Sequence, residues 1–97
     1  MLFISTSGHG YLRVTLNQLK TAIDKGFTPT SYSFINSNAA LLEEDNDSTS
    51  FLKAMGKWDQ RGNIKTRYQN DINKNLYYHI NKESIKYCLT NLPWGIK

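Results

Sequence analysis

Three groups of side chains have the types and spacing to do chemistry. The first is His9, set between Gly8 and Gly10. An imidazole changes charge near neutral pH, so in an exposed turn it serves as acid, base or ligand. Flanking glycines, lacking Cβ, accept unusual backbone angles and let a ligand or phosphate come close to the main chain. The tripeptide is neither a phosphate-binding loop nor a dinucleotide fingerprint, because the lysine and the spacing are missing. The same residues also read as a plain hairpin turn.

The second group is Glu43, Glu44, Asp45 and Asp47, four acids within five positions. Metal-dependent phosphodiester chemistry needs two or three carboxylates around hard cations. An extended strand puts residues 43 and 45 on one face and 44 on the other, so one ion gathers all four only if the backbone turns there. The glycine and distal glutamate of an EF-hand are absent. With two histidines and no Cys/His pair at zinc spacing, no metal and no cofactor is predicted. Acids also suit the first turn of a helix, where the macrodipole favours negative charge. His9, Glu43, Glu44, Asp45 and Asp47 are therefore predicted to be partner-binding residues rather than catalytic ones.

The third group interleaves cations and rings: Lys57, Trp58, Arg61, Lys65, Arg67 and Tyr68. Nucleic-acid surfaces use cations against phosphates and rings against bases. Equally, rings bury in a small core while lysines keep it soluble. No recognised nucleic-acid-binding motif is present. The net charge of +4 hides an asymmetry: residues 1–50 hold three Lys/Arg against five Asp/Glu, and residues 51–97 hold nine against three. Such a split orients a protein on a charged partner. The single cysteine, Cys88, excludes an internal disulfide. It lies on the apolar stripe of a predicted helix and reads as a buried structural thiol.

The elements that position these groups follow from periodicity. A chain of 97 residues with 39% apolar content makes one domain, residues 1–97, with a modest core. No run reaches the roughly 18 apolar residues of a membrane span. The first ten residues lack the basic region of a secretion signal, so a cytoplasmic location is expected. Met1–Thr6 and Tyr11–Thr15 read as a β-hairpin. Thr15 and Gln18 have capping-box spacing, and Leu16, Leu19, Ile23 and Phe27 form one helical stripe that Gly26 and Pro29 end. Ser31–Ile35 and Ala39–Leu42 predict a second hairpin around Asn36-Ser37-Asn38. Its second strand is apolar on both faces and so belongs inside a sheet. Asp47 or Ser48 then caps a short helix ending at Gly56. Lys57–Asn63 reads as a loop and Ile64–Gln69 as a half-exposed strand. Residues 70–80 fit strand and helix alike. Asn81 caps a final helix with Ile85, Cys88, Leu89 and Leu92 on its stripe, Pro93 as its stop and Trp94 beyond it. The fold class predicted is α+β: an antiparallel sheet of two hairpins and one or two further strands, with two or three helices on one face, in the order ββαββα, then β and a C-terminal helix.

Three short blocks, Gly8-His9-Gly10-Tyr11-Leu12-Arg13-Val14, Ser31-Tyr32-Ser33-Phe34 and Leu42-Glu43-Glu44-Asp45 with Asp47 and Phe51 downstream, resemble a family of small uncharacterised accessory proteins of bacteriophages, plasmids and other mobile elements. The resemblance spans about residues 4–55. The family often carries cysteine where this chain has Asn46, which argues against a thiol or metal role there. It brings no catalytic residue with it. It implies an accessory role, of the kind that antagonises host defence by binding.

The function expected is thus non-enzymatic binding and inhibition of a host protein or ribonucleoprotein machine, in the manner of anti-CRISPR or anti-restriction proteins. Two other functions stand beside it: a nucleic-acid-binding module built on the basic half, and a metal-dependent hydrolase using His9 and the carboxylates.

Overall fold

A computed structural model describes residues 1–90. The α+β architecture is the one the sequence predicts. Strands β1 (Leu2–Ser5) and β2 (Gly10–Thr15) form the first hairpin. Helix α1 (Leu16–Asp24) follows directly. Strands β3 (Phe34–Ile35) and β4 (Ala39–Glu43) form the second hairpin. A wide π-type turn, Glu44–Ser48, winds into helix α2 (Thr49–Ala54). A 3-10 turn at Trp58–Asn63 leads to β5 (Thr66–Tyr68), another at Lys74–Leu76 leads to β6 (Tyr78–His79), and helix α3 (Lys82–Thr90) ends the described chain. The expected contributions of Leu92, Pro93 and Trp94 lie outside the described residues.

The six strands make one sheet in the order β5-β1-β2-β4-β3-β6. Every pair is antiparallel except β1 with β5. The exception has a topological cause. Between β4 and β5 the chain crosses the sheet through α2 and the 3-10 turn and reaches the free edge of β1, and a crossover of a dozen or more residues delivers a parallel strand.

Helix α1 starts as its spacing requires. Thr15 Oγ1 accepts the Gln18 amide at 3.0 Å, and Gln18 Oε1 accepts the Thr15 amide at 2.9 Å. Gly26 stops it at φ +99°, and Gly56 stops α2 at φ +68°, a backbone region costly for other residues. Asn81 and Ser84 make a reciprocal pair at the start of α3, at 2.8 and 2.9 Å.

One face of the sheet carries the core. Leu12, Val14, Ile35, Ala40 and Leu42 pack against Leu16, Leu19, Phe51, Leu52 and Cys88 from the helices. Phe27 and Phe51 meet edge-on at 5.7 Å and tie the end of α1 to α2. β4 lies between β2 and β3 with all five residues buried, as its two apolar faces predict. The opposite face holds a smaller cluster, Ile4, Tyr11, Phe34, Leu41 and Ile72, over which the segment after β5 lays Ile72 and Tyr77.

Three local expectations are corrected. The first strand of the central hairpin is two residues long, not five. Residues 30–33 turn instead, because Thr30 and Ser33 bind the Asp47 carboxylate. Ser48 stands at the start of α2 but makes no side-chain cap there, because the helical path already begins at Glu44 with Glu43 as its cap. Residues 70–80 are neither one strand nor one helix but a 3-10 turn followed by the short β6.

Candidate functional site

The sheet face opposite the helices presents the odd-numbered residues of β2 and β4, most of them covered by the segment after β5. Tyr11 sits opposite Glu43, and Phe34 stands between Leu41 and His79. A row of rings results. His9 and Tyr11 are 6.4 Å apart, Tyr11 and Phe34 6.0 Å, and Phe34 and His79 4.8 Å between centroids. A groove of about 360 Å³ runs along this row, lined also by Ser31, Tyr32, Asp45, Asn46 and Lys74. A second groove, of about 250 Å³, lies between the Ser5–Gly10 turn and Glu43–Asp45. His9, Glu43 and Asp45 line both.

The turn that carries His9 is held by its own residues. Thr6 Oγ1 donates to the His9 carbonyl at 2.6 Å and accepts the His9 amide at 3.0 Å. Neither of its glycines uses positive φ, contrary to the reading of the turn from sequence. Gly10 is required for space instead: a Cβ there collides with the Glu44 carboxylate and the Phe3 ring. That packing sets the His9 turn against the acidic turn.

The four acids divide into two roles. Glu43 is buried, and its carboxylate accepts the amides of Asp45 and Asn46 and the Asn46 side chain at 3.1–3.2 Å. It holds the acidic turn in shape. Asp47 is 2% exposed and accepts the Thr30 amide and hydroxyl, both at 2.9 Å, and the Ser33 hydroxyl. The placement of Asp47 on a partner-binding surface is therefore corrected: its carboxylate is internal and already bonded. Glu44 and Asp45 are exposed, and among the described residues neither carboxylate has a hydrogen-bond or ion-pair partner. His9, Glu44 and Asp45 thus remain together at the surface.

Three residues that sequence reading left out of the site belong to it. Tyr11 is 4% exposed, yet its hydroxyl has no partner among the described residues. No sealed side-chain oxygen or nitrogen among them lacks a partner, so this oxygen reaches solvent. Burial, and then the charges of Asp71 and Glu43, hold its pKa above the usual 10.0. His79 Nδ1 lies 3.0 Å from the Ser31 carbonyl. A carbonyl only accepts, so Nδ1 is the donor of this bond. Phe34 fills the space between them. The alternation of Tyr11 against Leu12 and Val14 was the available signal for the first; for His79 there was none.

The metal reading requires the two turns to be neighbours, and they are. Among the described residues, however, no three His, Cys, Asp or Glu side chains are placed to hold an ion. The basic candidates do not all line one hollow. Lys57 and Lys65 line a hollow of about 350 Å³ beside Met1. Trp58 is half-buried under its own cations, with the Arg61 guanidinium 4.1 Å and Lys53 Nζ 5.4 Å from the ring centroid. Arg67 and Tyr68 are exposed neighbours on β5 and so point to opposite faces. Cys88 is buried, which raises its thiol pKa and suits a structural role. No helix among the described residues is long and apolar enough to cross a membrane.

Comparison with protein-family models, with curated proteins and with solved structures gives no match.

Proposed function

We propose that this chain is a small binding protein of the mobile-element accessory type, which docks a host protein or ribonucleoprotein at the groove on the sheet face opposite its helices and blocks a working surface there. One observation carries the proposal: the unpaired Asp45 carboxylate and the exposed rings of His9, Tyr32 and His79 line one groove on the sheet face opposite the helices. Rings that supply contact area, with charged groups at their margin, make the centre and rim of protein interfaces. The charge split supports the same function. Glu44 lies over Gly10, opposite Ser5 at the far end of β1, while Lys57 and Lys65 lie beside Met1 at its start. The surface is therefore polar along the strands and has a preferred orientation on a charged partner. The sequence resemblance to phage and plasmid accessory proteins directs the choice of partner toward host defence complexes.

The test is binding and inhibition with purified CRISPR effector complexes, restriction enzymes and host nucleases. A stable complex with one of them, weakened by Glu44→Lys with Asp45→Lys, is expected. Absence of any complex across that panel removes the proposal. A second function, weak nucleic-acid binding, is favoured by the convergence of Lys57 and Lys65. It predicts binding that weakens with salt by a log–log slope of roughly −0.9 per duplex phosphate contacted.

A further inference from the structure

We infer that this groove takes an arginine side chain of the partner, with the guanidinium between Asp45 and the Tyr11 hydroxyl. The inference rests on the binding function proposed above and names the chemistry of its central contact.

The groove offers two acceptors within one lining, which a guanidinium needs. Asp45 brings a carboxylate with no partner among the described residues. Tyr11 brings a hydroxyl that is unpartnered although the residue is 96% buried, the complement of its 4% exposure. That oxygen reaches solvent in the free chain and is open to a donor from the partner. The exposed ring of Tyr32 lines the groove and offers a face to a flat cation. Arginine is planar and carries five donors in a fixed fork, so it stacks and reaches two acceptors at once; the compact lysine ammonium does not. Glu43 adds negative charge below, although its oxygens are already bonded to the acidic turn. Lys74 at the rim opposes a cation, and its removal is part of the test. A volume of about 360 Å³ falls at the small end of ligand pockets and suits one side chain rather than a large cofactor.

The experiment selects binders to the whole chain from a random peptide library. The affinity of the best peptide is then measured beside a copy with citrulline in place of arginine, a neutral mimic of the same shape. Asp45→Asn, Tyr11→Phe and Lys74→Ala are compared with the unaltered chain. Asp45 is at the surface, so its variant folds even where Tyr11→Phe does not. The result expected is an arginine common to the selected peptides. Citrulline or Asp45→Asn should each weaken binding about tenfold, and Lys74→Ala should tighten it about twofold. Peptides whose binding needs Asp45 but is unchanged by citrulline, or equal with lysine, overturn the guanidinium and leave the binding face standing. Peptides that bind with no dependence on any groove residue overturn both.

Discussion

The Ser33 hydroxyl donates to the Asp47 carboxylate and accepts the Glu43 amide at 2.9 Å. One buried serine thus ties the entry of the second hairpin to both ends of the acidic turn. Ser33 is 0% exposed, so neither bond is traded with water. The groove keeps its shape because this link fixes Glu43 and, through it, Asp45.

Ser33→Ala strands the Glu43 amide and removes one donor from Asp47. Loss of about 1–3 kcal/mol of stability is expected by urea unfolding. Asp47→Ala leaves Thr30 and Ser33 without their acceptor and should cost as much or more. Unchanged unfolding midpoints in both variants would remove the link from the account.

Gly10→Ala should destabilise by about 1–3 kcal/mol, because its Cβ meets the Glu44 carboxylate and the Phe3 ring. Glu44 is exposed and flexible, so Glu44→Ala in the same chain should recover part of the loss. Thermal melts of the two variants and their combination make the check. No recovery would mean that Phe3, not Glu44, sets the need for glycine.

Much of this scaffold was legible in the chain, and the reasons are local. Thr15 with Gln18 states where α1 begins, and its every-third-or-fourth apolar stripe states which side is buried. The doubly apolar Ala39–Leu42 run states that β4 is interior. The site was legible only in part. His9, Glu44 and Asp45 stand out by type and do meet, but Asp47 looks the same in sequence and is buried. Its fate depends on Thr30 and Ser33, 17 and 14 positions away. Tyr11 and His79 come together through sheet register, which no spacing encodes. Residues 70–80 misled because Ile72, Leu76 and Ile80 have helical spacing, whereas only Ile72 and Ile80 are buried and the chain between them follows the sheet edge.

Alkaline pH should weaken the fold in a defined order. Cys88 and Tyr11 both have folded pKa values raised above their ordinary 9.0 and 10.0. Their protons are held more tightly in the folded chain, so nothing is lost below about pH 9. As pH rises past each ordinary value, the unfolded chain releases a proton that the folded chain keeps, and stability falls until the folded pKa is passed. Urea midpoints between pH 8 and 11 test this. Cys88→Ala should flatten the earlier part of the decline and Tyr11→Phe the later part. A profile unchanged by both substitutions would contradict the assignment.

The basic residues should act separately from the groove. Lys57→Glu with Lys65→Glu should abolish any salt-sensitive retention on single-stranded DNA, while Arg67→Ala alone should have a smaller effect because Arg67 does not line the hollow the other two share. Gel-shift titrations at two salt concentrations measure both. Equal loss from Arg67→Ala would mean a single continuous nucleic-acid surface.

The central claim is that the acid-and-ring face, not the lysine end, meets the partner. The most direct measurement is the affinity of one partner complex for two charge-reversed chains, Glu44→Lys with Asp45→Lys and Lys57→Glu with Lys65→Glu, each first shown to unfold at the native urea midpoint. The account predicts that the first loses about 100-fold or more, as reversal at an interface centre does, and that the second changes by only a few-fold. Loss confined to the lysine variant would contradict it.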